Sequence, residues 1–104
     1  MKHKVLTNKP LLRIEAIHKL SQAYNKRLGN NHTLRLLKLA KEHAEEIQQL
    51  YKSKNKHYLV ETGDLIILCF EVLLENKASI DKTLLKCFKR YEKRFASLVT
   101  KGQV

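Results

Sequence analysis

Residues 33–75 read TLRLLKLAKEHAEEIQQLYKSKNKHYLVETGDLIILCFEVLLE and determine the fold that we predict. On both sides of the polar segment KSKNK, residues 52–56, apolar side chains recur every three or four positions, which is the spacing of an amphipathic helix. So short a polar connection is typical of antiparallel helices. The stretch therefore predicts a helical hairpin, with an N-cap at Thr33 and a second helix from about His57 to Glu75.

The segment LIILCF, residues 65–70, also has the β-branched content of a buried strand. We prefer a helix because segments with helical periodicity flank it and the chain offers no second strand for pairing. Since the helix is apolar almost all round, we expect it at the centre of the bundle.

Two further helices are predicted beside the hairpin. Pro10 suits a first helical turn, and Gly29 with Asn30 ends that helix. Ser79 is a predicted N-cap for the last helix, with Asp81 near the positive end of the helix dipole. The predicted core stripes are Leu11, Ile14, Ile17, Leu20 and Tyr24 on the first helix, Leu34, Leu37, Ala40, Ala44, Ile47 and Tyr51 on the second, widened by Leu36, Leu39 and Leu50, and Leu84, Phe88, Tyr91, Phe95 and Leu98 on the last.

The chain of 104 residues, 43% hydrophobic and 30% charged, has room for one globular domain. We predict an all-α, four-helix-bundle domain over residues 10–100, preceded by a flexible basic arm over residues 1–9. A core this small often gains stability by association, so we expect a homo-oligomer, a dimer or a tetramer.

The distribution of apolar residues along the sequence predicts the cellular compartment. The longest apolar run, residues 65–70, is far below the roughly 20 residues of a membrane span. The basic arm is not followed by the apolar stretch of a signal peptide, so we expect a cytoplasmic protein. Cys69 and Cys87 have apolar neighbours and no CxxC spacing, and we interpret them as reduced core residues.

The formal net charge is +11, from 21 Lys and Arg against 10 Asp and Glu. A charge this high for the chain length favours polyanionic partners such as nucleotides or nucleic acid. A solvated basic surface without a binding role is the alternative.

Two pairs of carboxylates suggest a site. Glu42 and Glu45 are three residues apart, as are Glu61 and Asp64, so each pair shares one helix face. The pairs are also symmetric about Ser53, and a turn there would bring the four groups level with one another. Converging carboxylates need a compensating cation, and oxygen ligands suit Mg²⁺ or Mn²⁺.

The alternative for Glu42 and Glu45 is a solvated face that pairs with nearby lysines. Asp64 fits that alternative poorly. It lies among Leu65, Ile66 and Leu68 on the helix that we expect to be most buried, where an unpaired carboxylate is costly.

These segments resemble a known family. LLKLAKEHAEEI and VETGDLIILCFEVL, with fifteen residues between Glu45 and Glu61, resemble the ExxE…ExxD signature of MazG-like nucleotide pyrophosphohydrolases, which belong to the all-α NTP pyrophosphatase superfamily. SIDKTLLKCFKRYEKRF is similar to the basic terminal helix of that family. The resemblance covers roughly residues 33 to 95.

The resemblance implies a Mg²⁺-dependent enzyme that cleaves a nucleoside triphosphate into a monophosphate and pyrophosphate, as a house-cleaning hydrolase does. Its metal ligands and catalytic residues would be Glu42, Glu45, Glu61 and Asp64. The residues expected to bind the triphosphate are Lys86, Arg90, Lys93 and Arg94.

The sequence departs from the family pattern at two positions. Lys41 stands where many members have another Glu, and Phe88 where an Asn often precedes the basic motif. Two other functions therefore stay open, a basic helical module that binds nucleic acid and a diverged bundle without catalysis.

Other polar residues have weaker assignments. Glu71 and Glu75 continue the line of Glu61 and Asp64 and would serve a second ion or a dimer contact. We interpret His18 as a surface or boundary residue rather than a ligand, because no second ligand has a matching spacing.

Overall fold

The computed structural model describes residues 9–29 and 31–102, except for the side chain of Leu11. This part of the chain forms four α-helices and contains no strand: α1 (Pro10–Leu28), α2 (His32–Lys52), α3 (Tyr58–Glu75) and α4 (Ile80–Thr100). The all-α prediction is confirmed, and LIILCF lies within α3. The predicted arm lies outside the described residues except for Lys9, and so does the predicted core role of Leu11.

Local signals place three helix ends where we predicted them. Pro10 occupies the first turn of α1, and Gly29 ends it in a left-handed conformation with φ of 71°. The backbone N–H of Lys82 donates to the Ser79 hydroxyl at 3.2 Å, so Ser79 caps α4. These ends depend on residues within one turn, which is why the sequence alone predicts them.

The predicted cap at Thr33 is wrong. Asn31 is the N-cap of α2, and its side-chain oxygen accepts from the backbone N–H of Leu34 at 3.1 Å. Asparagine is at least as good a cap as threonine, and the helix starts two residues earlier in consequence.

The hairpin of α2 and α3 is the centre of the fold. Residues 53–57 connect the two helices, and α3 packs against both α2 and α1. The last helix contacts α3 alone among the helices. The molecule is therefore elongated, 57 Å in its longest dimension, with a radius of gyration of 16.9 Å against about 13 Å for a compact domain of this length.

The buried face of α1 is rotated from the predicted one. Ile14 is buried as expected, but it shares that face with His18 and Asn25. Leu20 and Tyr24, which we predicted in the core, are exposed. His18 was expected at the surface and is 5% exposed, because α3 supplies its polar partners.

The same rotation occurs in α2. Leu36 is 1% exposed and is the most buried apolar residue described, while Leu34, Leu37 and Tyr51 of the predicted stripe are exposed. His32 is buried on the face that Leu36 occupies. The helix carries leucines on more than one face, so apolar periodicity alone does not fix its rotation.

The predicted core stripe of α4 is largely exposed. Phe88, Tyr91 and Phe95 each present more than half of their surface, and α4 has no buried residue. Cys69 is exposed, so its predicted core role is wrong, and Cys87 is half-buried. None of the four helices, within the described residues, combines the length and the apolar character that crossing a bilayer requires.

Candidate functional site

The α2–α3 cluster consists of His43, Glu61 and Asp64. One ring nitrogen of His43 and one carboxylate oxygen of each acid lie within 4.8 Å of one another. Glu61 is 9% exposed, His43 is half-buried and Asp64 is exposed. The cluster thus opens from the interface of two helices towards solvent.

Helix geometry produces this arrangement. Glu61 lies in the first turn of α3, and Asp64 follows it by three residues, so both project from one face. His43 reaches Glu61 from the antiparallel partner helix. Its Nε2 lies 3.4 Å from Glu61 Oε1.

A hydrogen bond at the second ring nitrogen, Nδ1, fixes the orientation of the His43 ring. Its Nδ1 lies 2.9 Å from the backbone oxygen of Leu39, and because a carbonyl only accepts, Nδ1 carries the hydrogen. Nε2 and Glu61 Oε1 are therefore two electron-rich atoms facing each other, unless a proton or a metal ion lies between them. Histidines that bind metals commonly have this support on the other ring nitrogen.

Glu61 is the least satisfied group of the cluster. Its Oε1 is buried and has no hydrogen-bond partner among residues 9–29 and 31–102, and its Oε2 lies 3.9 Å from Nε2 of the exposed His57. A buried oxygen left without a hydrogen bond costs about 1–3 kcal/mol. A cation held by Glu61, Asp64 and His43 would remove that cost.

The structure brings together two of the four predicted carboxylates. Glu61 and Asp64 belong to the cluster, while Glu42 and Glu45 are exposed on α2 and belong to neither group of potential ligands found among residues 9–29 and 31–102. Asp64 was expected to be buried and is exposed, at the solvent side of the cluster that it forms with Glu61 and His43. The quartet with Glu42 and Glu45 stays a prediction.

Sequence reasoning missed His43. The residue lies between the two predicted ligands on α2, seven residues after Leu36, and positions seven apart share a helix face. Had Leu36 been recognised as the most buried position, His43 would have been placed towards α3.

The predicted phosphate-binding residues are all exposed on α4. Lys86, Arg90, Lys93 and Arg94 make no hydrogen bond or ion pair with other described residues, so their charges are free to bind an anion. In the described part of the chain, no ion pair joins them to the α2–α3 cluster.

Glu71 and Glu75 have a different environment from the one we predicted. Both carboxylates face His18 of α1, at 3.0 Å from Nδ1 for Glu71 and 3.1 Å from Nε2 for Glu75. Glu71 is 4% exposed, so it belongs to the interior of the bundle.

Comparisons of the chain with protein-family models, with curated proteins and with solved structures found no match. The MazG-like interpretation therefore rests on the quoted sequence motifs alone and stays a prediction.

Proposed function

We propose that the protein is a metal-dependent nucleoside triphosphate pyrophosphohydrolase whose ion is held at the α2–α3 cluster. The observation that carries the proposal is Glu61, a buried carboxylate with an unpaired oxygen that shares its surroundings with Asp64 and His43. Such a group is costly in a structural role and useful in a metal site.

The reaction adds water across the bond between the α and β phosphates and gives a monophosphate and pyrophosphate. A divalent ion in such a site neutralises the charge that develops on the phosphates and makes bound water a better nucleophile. Glu61, Asp64 and His43 would hold the ion, and Glu42 and Glu45 would supply further oxygens from the same end of the hairpin.

The ligand types suggest which ion binds. Two carboxylates favour a hard cation such as Mg²⁺ or Mn²⁺. His43 adds one imidazole, a ligand that Mg²⁺ seldom takes, and this favours Mn²⁺ over the all-oxygen quartet that we predicted. Lys86, Arg90, Lys93 and Arg94 would bind the triphosphate, because four unpaired cations on one helix attract a polyanion.

The test is release of pyrophosphate from a panel of nucleoside triphosphates by the purified chain, with Mg²⁺, with Mn²⁺ and with chelator. We expect metal-dependent turnover of at least one nucleotide. An absence of turnover on every nucleotide with either metal would reject the hydrolase and leave the diverged, non-catalytic bundle.

The exposed apolar face of α4 supports the predicted homo-oligomer. Phe88, Tyr91 and Phe95 are bulky, and α4 contacts only α3 within one chain. A second copy of the chain would cover this face, since an exposed row of aromatic side chains is typical of an interface. Light scattering after size-exclusion chromatography measures the mass directly.

A second candidate function, nucleic-acid binding, is favoured by one specific observation. The rings of Tyr91 and Phe95 are exposed and stacked, with 6.3 Å between their centroids, and Arg90 and Arg94 adjoin them in sequence. Exposed aromatic rings among cations are the pattern of single-strand binding. We had predicted these rings in the core, where they could not stack on bases.

Filter binding of labelled single-stranded RNA and DNA over a salt series distinguishes the two functions. A nucleic-acid module would bind without added metal, and its affinity would fall steeply with salt. The hydrolase would show turnover that depends on metal and at most weak binding of nucleic acid.

A further inference from the structure

A second group of potential ligands lies inside the bundle. This three-helix cluster consists of His18 from α1, His32 from α2 and Glu71 from α3, which are 5%, 8% and 4% exposed. One ligand atom from each residue lies within 4.8 Å of the other two. Glu71 is ten residues from Glu61 along α3, about 15 Å by the helical rise, so the group is separate from the α2–α3 cluster.

Each histidine of the cluster has one ring nitrogen supported by a neighbour. Nε2 of His32 lies 3.2 Å from the Ser21 hydroxyl, which can accept from an Nε2–H group. Nε2 of His18 lies 3.1 Å from Glu75 Oε1, at ion-pair distance although outside hydrogen-bond geometry. Gln22 in turn donates to the same Glu75 oxygen at 2.8 Å. The hydrogen bond between His32 and Ser21 is of the kind that orients a metal-binding imidazole and raises its basicity, whereas His18 has a carboxylate at ion-pair distance from Nε2.

The other ring nitrogen of His32, Nδ1, provides a second and independent indication that a ligand binds in this cluster. Nδ1 is buried and has no hydrogen-bond partner in the described residues. If Ser21 accepts from Nε2, then Nδ1 carries a lone pair in a site from which solvent is largely excluded. Buried polar atoms are nearly always paired, and a bound ion is one of the few reasons for an exception.

We propose that His18, His32 and Glu71 bind a divalent transition-metal ion of the zinc class. Two imidazoles and one carboxylate are a ligand set that suits Zn²⁺ and is foreign to Mg²⁺. Ligands about 2.0 Å from a tetrahedral ion lie roughly 3.3 Å apart, and His18 Nδ1 already lies 3.0 Å from Glu71 Oε1. A ring nitrogen of His32 lies within 4.8 Å of the other two ligand atoms, so a movement of up to about 1.5 Å would bring it to the spacing of a tetrahedral site.

A fourth ligand and an entry path are available. A surface cavity of about 230 Å³ borders the cluster and is lined by Gln22, Asn25, Lys26, His32 and Glu75. Since it reaches His32, an ion can enter through it, and water can take the fourth position, while Glu75 stays beside Nε2 of His18. The ion would join three helices, so its binding would stabilise the folded chain over the unfolded one.

The first experiment uses the full chain, stripped with chelator and titrated with Co²⁺ and Zn²⁺. We expect one tightly bound ion per chain, followed by weaker binding at the α2–α3 cluster, and for the first ion a tetrahedral Co²⁺ spectrum without thiolate-to-cobalt charge transfer, because neither cysteine belongs to the cluster. At Zn²⁺ a hundred times above its dissociation constant, the melting temperature should rise by on the order of 10 °C. On addition of one equivalent of Zn²⁺, the imidazole signals of His18 and His32 should shift in NMR spectra, and those of His43 and His57 should not.

Variants then locate the ion. His32→Gln should weaken Zn²⁺ at least a hundredfold, and Glu71→Gln, which keeps the shape of the side chain, should do so as well. His57→Gln, on an exposed residue, is the matched control and should stay within twofold of the parent. Circular dichroism without metal shows whether each variant folds, and the NMR titration of the parent does not depend on that outcome.

Three results would overturn the proposal. The parent could lack saturable Zn²⁺ binding, its Co²⁺ spectrum could show thiolate ligation, or the shifted imidazoles could be those of His43 and His57. All three readouts use metal alone, so failure of the hydrolase assay leaves the proposal unaffected.

Discussion

Replacing Glu61 by glutamine removes the charge from the buried carboxylate of the α2–α3 cluster and keeps its shape. Without metal the change should be small, on the order of 1 kcal/mol in the free energy of unfolding, because Oε1 makes no hydrogen bond and loses only the 3.4 Å contact with His43. With metal the change should be large, since an amide is a poor ligand for a divalent ion at this position.

The expected rise in stability follows from the thermodynamic linkage between metal binding and folding. An ion that binds only the folded chain, present at a hundred times its dissociation constant, adds about 2.7 kcal/mol to the free energy of unfolding. For a chain of this length, that corresponds to a rise in melting temperature of on the order of 10 °C. In Glu61→Gln the rise should disappear, and metal-dependent pyrophosphate release should fall at least a hundredfold.

The assay is thermal unfolding followed by circular dichroism, with Mn²⁺ or Mg²⁺ against chelator, together with the turnover assay. Glu15→Gln is the matched control, because Glu15 is an exposed carboxylate on α1 outside both clusters. If Glu61→Gln kept the full metal-dependent rise of the parent, the ion would not lie at the α2–α3 cluster, and the proposed site would be wrong.

Three further predictions concern stability and assembly. Leu36→Ala should lower the free energy of unfolding by about 2–5 kcal/mol in urea denaturation, whereas Leu34→Ala, at an exposed site, should cost less than about 1 kcal/mol; equal losses would contradict the observed rotation of α2. Ser79→Ala should cost about 1 kcal/mol in the same assay through loss of the α4 cap, and an unchanged midpoint would mean that α4 does not contribute to the cooperative unit. Tyr91→Glu and Phe95→Glu should each lower the mass measured by light scattering to that of the monomer, and an unchanged oligomer would place the interface elsewhere.

The parts of the fold that the sequence predicted are those that depend on near neighbours. Pro10, Gly29 and Ser79 mark helix ends through effects confined to a turn. The pairing of Glu61 with Asp64 was likewise predictable from spacing on one helix.

The rotation of α1 and α2 was not predictable in this way, because both helices have apolar residues on more than one face. Contacts between residues distant in sequence accompany the observed choice. His18 meets Glu71, 53 residues away, and the burial of this polar pair turns Leu20 and Tyr24 of α1 towards solvent. Periodicity of apolar residues contains no information about such pairs.

Both metal proposals depend on a buried carboxylate side chain of α3. Glu61 and Glu71 are its two buried carboxylates, and each has a histidine within 3.4 Å. A buried carboxylate needs a positive partner, which is either a proton on the histidine or a metal ion bound to both groups. Chelator distinguishes the two. If protons suffice, its removal of metal leaves the melting temperature unchanged. If ions bind, the melting temperature falls and added metal restores it. Because Zn²⁺ binds nitrogen and oxygen ligands more tightly than Mn²⁺ and can occupy either cluster, loss of the restoration in Glu61→Gln or in Glu71→Gln shows which cluster holds the ion.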